Sequence, residues 1–360
     1  MSENYTFRPY KVGDENELIE MLKIDFPNWE KKGASAKEHW KWKYIDSPLK
    51  PEVYVAVYGN AVVGLTCEHI INIKIGNSTF PSGYGDDLVI HKDHRGKGIY
   101  SRLAKITDKL PSWFFSYWMS ENPIVMSRGV RLNNIFPHTL IKTFRIKNID
   151  LELKRNNLNK PHIRLGFTLL KYLNAARNLL KTSVRKNQLD FDIIIVNKFD
   201  DSTDRFYDAI KENFNFITEK TKDYLNWRYL DPRSGNYSVK KAVKDDQVLG
   251  FIVTELRDMG DHDDGYIVEL LTLPNREDVA MELLAQACRD FDGKGVNNIR
   301  YMVMKNSTYN KIAEKNGFIK IFNMYRIWIA YRFKDSIQED LEKMKVSPST
   351  KIYLCSGDFS

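Results

Sequence analysis

Along the first half of the chain, apolar and polar positions alternate in short blocks that change period repeatedly. Tyr5-Thr6-Phe7-Arg8-Pro9 has the spacing of an edge strand. Asp14-Glu15-Asn16-Glu17 then leads into Leu18, Ile19, Met21, Leu22 and Ile24, which fall on one face of a helix whose acids sit at its positive end. His39 to Pro48 closes a further helix at a turn. Val53-Tyr54-Val55-Ala56-Val57 and Ala61-Val62-Val63-Gly64-Leu65 flank Tyr58-Gly59-Asn60 and predict a hairpin. Leu88-Val89-Ile90 is too short for a helix, whereas Ile99, Leu103, Ile106 and Leu110 recur at helical spacing. Between them lies a charged turn with Gly96 and Gly98, so residues 86–110 spell strand, tight loop, helix. Trp113 to Trp118 is a further apolar strand. Near the end, Asp340 to Met344 predicts a short helix and Lys351 to Cys355 a final strand.

The pattern also repeats. Trp42-Lys43-Tyr44-Ile45-Asp46 returns as Trp227-Arg228-Tyr229-Leu230-Asp231, followed by Pro48 in one case and Pro232 in the other. Downstream, Ala56-Val57 and Gly64 return as Ala242-Val243 and Gly250. So unusual a string at a nearly constant offset predicts a tandem duplication. The strand and helix around Asp86 to Leu110 then align with Tyr266 to Ala280, where the glycines are gone and Glu277 and Asp278 occupy the turn. Carboxylates there would repel a phosphate. The expected division is residues 1–150, a linker at 151–195, and residues 196–360.

A strand that breaks into a glycine turn and restarts as a helix aims backbone N–H groups and a helix dipole at one point, a geometry suited to phosphate. A P-loop would require Gly, four residues, then Gly-Lys-Ser/Thr, and a dinucleotide loop a glycine where Ser101 stands; neither pattern is met. The whole run resembles motif A of the GNAT superfamily of acyl-CoA-dependent N-acyltransferases, Arg/Gln-x-x-Gly-x-Gly/Ala. Arg95-Gly96-Lys97-Gly98-Ile99 fits it, and Tyr100 departs from its last small residue.

The resemblance implies an α+β fold with two GNAT-like domains, each a mixed, mostly antiparallel sheet flanked by helices. It implies acetyl-CoA as co-substrate, with the N–H groups around Arg95, Gly96, Lys97, Gly98, Ile99, Tyr100 and Ser101 holding the pyrophosphate. The backbone of Leu88, Val89 and Ile90 would pair with the pantetheine arm as an added strand. Asn122, the expected cap of a closing helix, joins that cofactor-binding set. Asp87 matches the acid often found before this strand and is the expected base, with Asp86 as the alternative. Adjacent strand residues face opposite ways, so one of the two would reach an acceptor cleft. Tyr84, Tyr100 and Tyr117 are candidate proton donors. In the second copy, Asn306 to Phe318 resembles the superfamily's closing helix and Gly-Phe turn, with Ala313 where many active members carry tyrosine. The implied activity is acetyl transfer to a primary amine of a small molecule, amino sugar or peptide. Tandem transferases that use aminoacyl-tRNA, and non-catalytic acyl-CoA binders, share the outline.

Composition narrows the class further. The 360 residues are 42% hydrophobic and 28% charged, which fits a globular protein able to bury two cores. Cys67, Cys288 and Cys355 are too far apart for a metal cluster and predict a reducing, cytoplasmic setting without metal. No apolar run spans a membrane and no secretory leader is visible at Met1 to Tyr5. The net charge of +8 is smaller than the nine basic residues, unopposed by any acid, between Leu153 and Leu189. The excess is therefore local and does not predict a nucleic-acid surface. Leu165, Leu169, Tyr172, Leu173, Ala176 and Leu180 give that segment a helical stripe, expected to connect the halves, with peripheral membrane contact as the alternative.

Overall fold

The computed structural model describes residues 4–27, 29, 34–107, 113–118, 134–135, 138–147, 151, 154, 166, 169, 189–320, 326–332 and 338–358. Expectations for Asn122, for residues 119–133, and for most of the basic 153–189 segment lie outside them. The strands are β1 (Tyr5–Pro9), β2 (Glu52–Tyr58), β3 (Ala61–Ile75), β4 (Ser78–Ile90), β5 (Trp113–Trp118), β6 (Asn134–Ile135), β7 (Leu140–Ile146), β8 (Asp192–Ile195), β9 (Phe216–Thr218), β10 (Tyr237–Lys244), β11 (Gln247–Asp258), β12 (Asp263–Thr272), β13 (Asn298–Met304) and β14 (Arg326–Arg332). The principal helices are α1 (Glu15–Asp25), α2 (Ala36–Trp40), α3 (Ile99–Thr107), α4 (Asp201–Lys211), α5 (Lys222–Leu225), α6 (Glu277–Gly293), α7 (Thr308–Lys315) and α8 (Gln338–Val346). This is a mixed α+β fold of two sheets flanked by helices.

The sheets join into one path, β1-β2-β3-β4-β5-β14-β7-β13-β12-β11-β10-β8. Two strands cross over in sequence. β7 runs antiparallel to β13 from Leu140↔Met304 to Ile146↔Asn298, and β14 runs antiparallel to β5 from Trp328↔Trp118 to Arg332↔Phe114. Each sheet thus contains a strand from the other half of the chain.

α1 forms because Glu15 and Glu17 meet the positive end of its dipole and Leu18, Ile19, Met21 and Leu22 fall on one stripe, all buried. That stripe packs with Val55, Leu65 and Val89 from the underside of the first sheet. On the opposite face, Ile99 and Leu103 of α3 close over Ala56 and Val63. The second half builds a larger core from α4, α6 and the inner faces of β10 to β13.

The two Trp-basic-Tyr strings adopt the same local structure. A capping box between Ser35 and Glu38 starts α2, which widens into a π-helical turn at Lys41–Ile45; Thr221 caps α5, which widens likewise at Asn226–Leu230. Trp42 and Trp227 stack at 4.9 Å, and each indole N–H donates to the other's backbone carbonyl, at 2.9 and 3.0 Å. The hairpins match too. Ala56 faces Gly64 before a bulge at Val57, and Ala242 faces Gly250 before a bulge at Val243. The expected last strand is different: residues Ser349–Lys351 make a 3₁₀ turn, and Ile352 pairs with Phe216 as a single bridge.

Candidate active site

The site grows out of β4. On one side β4 pairs with β3 down to Ile90, while parallel β5 meets it only at Ser82↔Trp113 and Gly83↔Phe114. Beyond Gly83 the two strands splay, and the β5-facing edge of Leu88, Val89 and Ile90 has no strand beside it among the described residues. A free edge of alternating N–H and C=O groups can accept an extended chain bearing amides.

That edge runs into the glycine turn. Gly96 and Gly98 both have positive φ, 79° and 78°, which glycine adopts without strain. Arg102 N–H returns to Gly98 O at 3.3 Å, so the N–H groups of Ile99, Tyr100 and Ser101 precede the first intrahelical bond of α3. Buried Ile99 anchors the helix, while Tyr100, Ser101, Gly96, Lys97 and Gly98 line its exposed start. The turn can receive an anion. Arg95 is engaged elsewhere: its Nε donates to Ile90 O at 2.9 Å, and its guanidinium pairs with Asp25 at 2.6 Å, tying the turn to the end of α1.

Asp86 and Asp87 stand where the splay opens. Thr66 faces Leu88 and Glu68 faces Gly85, so both acids oppose Cys67 across a β-bulge. The extra residue brings neighbouring side chains to one place, contrary to the alternation expected of a regular strand. Lys43 Nζ lies 2.7 Å from Asp86 and 2.8 Å from Asp87. Asp87 Oδ2 also accepts from Trp29 Nε1 at 3.0 Å and from the Tyr44 hydroxyl. The π-helical turn carries Lys43 and Tyr44, adjacent in sequence, to this one carboxylate. His69 Nε2 approaches Asp86 at 3.5 Å.

Burial disfavours every charge here, and pairing decides which survive. Burial would raise the Asp87 carboxyl, but the charge of Lys43, with hydrogen bonds from Lys43, Tyr44 and Trp29, brings it down to about 2. Burial pulls Lys43 down, and the two carboxylates more than restore it. Burial, helped by the charge of Lys43, lowers His69 to about 3. Burial and the charge of Asp87 hold the Tyr44 hydroxyl protonated. The cluster thus sets the Lys43 ammonium between two carboxylates, beside a neutral imidazole.

A cavity of about 390 Å³ opens on it. Asp25, Phe26, Pro27, Trp29, His39, Trp42, Lys43 and Asp87 come from the first half, and Arg228 and Tyr237 from the second. Sequence reasoning missed Trp29, Lys43, Tyr44, His69, Arg228 and Tyr237 as site residues. The available signal was a basic residue held at the second position of both repeated strings.

The second half has a similar splay with a different occupant. β12 meets β13 only from Asp264 to Ile267. Past that point Tyr353 donates to Leu270 O and Ser356 to Val268 O, both at 2.9 Å, and Thr272 N–H donates to Tyr309 OH at 3.0 Å. Counting back from the matched pairs Gly64↔Ile90 and Gly250↔Thr272 places Glu269 at the position of Asp87 and Val268 at that of Asp86. Glu269 accepts from Tyr229 at 2.5 Å and pairs with Lys220, which also pairs with Asp358 at 2.6 Å. Glu277 and Asp278 open α6 in place of a glycine turn.

These features define a class, and comparison agrees with it. Residues 16–115 match the model of the acetyltransferase (GNAT) family, so the chain carries a GNAT acetyltransferase domain and is an acyltransferase. Among solved structures it is similar over 92% of its length to a probable N-acyltransferase from Enterococcus faecalis V583, covering 72% of that chain, with a TM-score of 0.59 and 10% identity. It is similar over 98% of its length to Saccharomyces cerevisiae N-myristoyltransferase solved with bound myristoyl-CoA, covering 86% of that chain, with a TM-score of 0.58 and 12% identity. A GCN5-related N-acetyltransferase from Anabaena variabilis gives a TM-score of 0.58 at 11% identity, over 91% of this chain and 72% of that one. At these identities the likeness is one of fold. No curated protein matches the sequence.

Proposed function

We propose that the protein transfers an acyl group, acetyl in the simplest case, from acyl-CoA to a primary amine of a small molecule, amino sugar or peptide. The observation that carries this is the parting of β4 from β5 beyond Gly83, directly before a glycine turn that opens α3. Leu88, Val89 and Ile90 would bind the pantetheine amides. The N–H groups of Gly96 to Ser101 would take the pyrophosphate, and the cavity beside Asp87 the acceptor. Bound acyl-CoA would supply an activated thioester.

The chain's own residues then have distinct tasks. Asp87, on the wall of the cavity, receives the proton that the acceptor ammonium gives up, directly or through water, with Asp86 held beside it by Lys43. Asp87 at about 2 is a weak base, so its larger contribution is fixed negative charge and the placing of Lys43 and Tyr44. As the amine nitrogen bonds the acyl carbon, the carbon–sulfur bond breaks and its electrons leave on the thiolate.

We further infer a tandem of two GNAT-like units, residues 1–150 and 196–360, of which the first binds the cofactor. Support comes from the matching π-helical turns, the matching hairpin bulges and the filled splay of β12. Among the described residues no helix is long and apolar enough to cross a membrane. Three buried, free cysteines fit a cytoplasmic location.

Calorimetric titration with acetyl-CoA and with longer acyl-CoAs, followed by thiol release with an amine panel, tests the reading. Saturable binding with turnover supports it. Absence of acyl-CoA binding would favour a tRNA-dependent aminoacyl transferase, and binding without turnover a non-catalytic carrier.

A further inference from the structure

The cavity that opens on Asp87 takes its wall from both halves of the chain, and the polar groups of that wall are engaged within the protein. Asp25 is paired with Arg95, and Lys43 lies between Asp86 and Asp87. The indole N–H of Trp29 donates to Asp87 at 3.0 Å, that of Trp42 donates to Trp227 O at 2.9 Å, and Arg228 donates to the Tyr237 hydroxyl at 3.0 Å. What the wall still offers is ring surface, from Phe26 and Trp29 on one side and Tyr237 on the other. Phe26, the residue that follows α1, is 43% exposed, so the fold spends little of its ring on packing. One polar atom stands apart from this pattern. The bonds that Asp87 receives from Trp29, Lys43 and Tyr44 all fall on Oδ2, so among the described residues Oδ1 of this carboxylate is left to receive a ligand.

We propose that the acceptor is a small arylalkylamine, a primary amine on a short chain attached to an aromatic ring, whose ring lies among Phe26, Trp29 and Tyr237 and whose amine meets Asp87. This rests on the acyl-transfer reading above and names its substrate class. Aromatic rings attract one another, edge to face or offset, beyond what the burial of area gives, so rings around a cavity select a further ring over an alkyl group of the same size. A sugar or polyol brings hydroxyls that must find partners. Donors and acceptors already spent on one another do not supply them, and a hydroxyl buried without a bond counts against binding. A cavity of about 390 Å³ admits a single or fused ring with its side chain and no folded partner. Held at its ring and at its amine, such an acceptor has one orientation, with the nitrogen at the carboxylate.

The test uses the full chain with acetyl-CoA and follows thiol release. Phenethylamine and tryptamine are compared with cyclohexylethylamine, ethanolamine and glucosamine. The expected kcat/KM of the aromatic amines is roughly tenfold or more above that of ethanolamine and glucosamine, the size of burying one ring. It is about twofold or more above that of cyclohexylethylamine, the size of an aromatic pair. F26A should lower the advantage of phenethylamine over ethanolamine at least about twofold, and F26Y, which keeps a ring there, should preserve it. The loss should fall on KM, since ring contacts are the same before and during reaction. Phenethylamine rates equal to those of ethanolamine or of cyclohexylethylamine overturn the proposal, and so does an advantage undiminished in F26A. Should F26A fail to fold, the wild-type ratios decide. If none of these amines turns over, calorimetry of the same amines on CoA-bound protein decides: tighter binding of the aromatic amines supports the proposal, and equal or absent binding overturns it. Failure to bind acetyl-CoA would overturn the acyl-transfer reading and this proposal with it, whereas turnover of ethanolamine or glucosamine alone leaves that reading standing and removes only this one.

Discussion

Lys43 is the residue on which the acid cluster depends, because it is a counter-charge shared by two largely buried carboxylates. K43M should cost about 3 to 5 kcal/mol, the range for stranding buried charge. D87N, which keeps the shape and removes one of the two charges, should cost less, about 1 to 3 kcal/mol; urea unfolding of both variants checks the order. His69 gives the site its sensitivity to acid. Its ordinary value of 6.5 is lowered to about 3 by burial, so the unfolded chain takes up a proton that the folded chain refuses. The stability this contributes is complete above pH 6.5 and is lost as pH falls toward 3, at up to ~1.4 kcal/mol per pH unit. H69Q should flatten urea-unfolding free energies between pH 6.5 and 5. Asp87, lowered from 3.8 to about 2, contributes stability that is fully present above pH 3.8 and is lost as pH falls toward 2. Asp86 and Asp87 could be named from sequence because an acid at the head of a short apolar strand is a local signal. Their partners could not, since Lys43 and Tyr44 lie 44 and 43 residues away and no period in the sequence reports such a contact. The bulge that turns both acids toward one lysine left only a faint signal, Gly85 inside the strand.

At the scale of elements, the strand, turn and helix around residues 86–107 were legible because the apolar period changes there from two to between three and four, with glycine in between. The structure gives a reason for each glycine. Gly98 sits at φ 78°, yet a Cβ added to it would meet nothing within 4 Å. G98V should therefore cost only ~1 to 2 kcal/mol in backbone strain and lower the melting temperature by no more than about 4 °C. Affinity for acetyl-CoA should fall at least about tenfold, measured by calorimetry. Unchanged affinity would sink the assignment of the turn to the pyrophosphate. The end of the chain was harder to read. Lys351 to Cys355 alternates like a strand, but Tyr353 and Ser356 spend their hydroxyls on the carbonyls of β12. Side chains there do what a neighbouring strand would otherwise do, and only the fold reveals that a strand edge was waiting for them.

For the whole molecule, the closing tail and the crossed strands set stability. Asp358 is the second carboxylate on fully buried Lys220, and it also accepts from Cys355 N–H at 2.9 Å. D358A should cost about 3 to 5 kcal/mol by leaving that lysine underpaired, and urea unfolding should show both halves melting in one transition, since the sheets are continuous. The repeated strings were legible in the sequence, but which strands cross between the sheets was not, because β7 and β14 carry no mark of the sheet they join. That crossing has a consequence for inheritance. A gene divided between the two halves would yield two products, each missing a strand of its own sheet and exporting one to the other. Neither product could be shuffled into a new context or lost without orphaning the other, so a chain with strands crossed in this way keeps its two parts together.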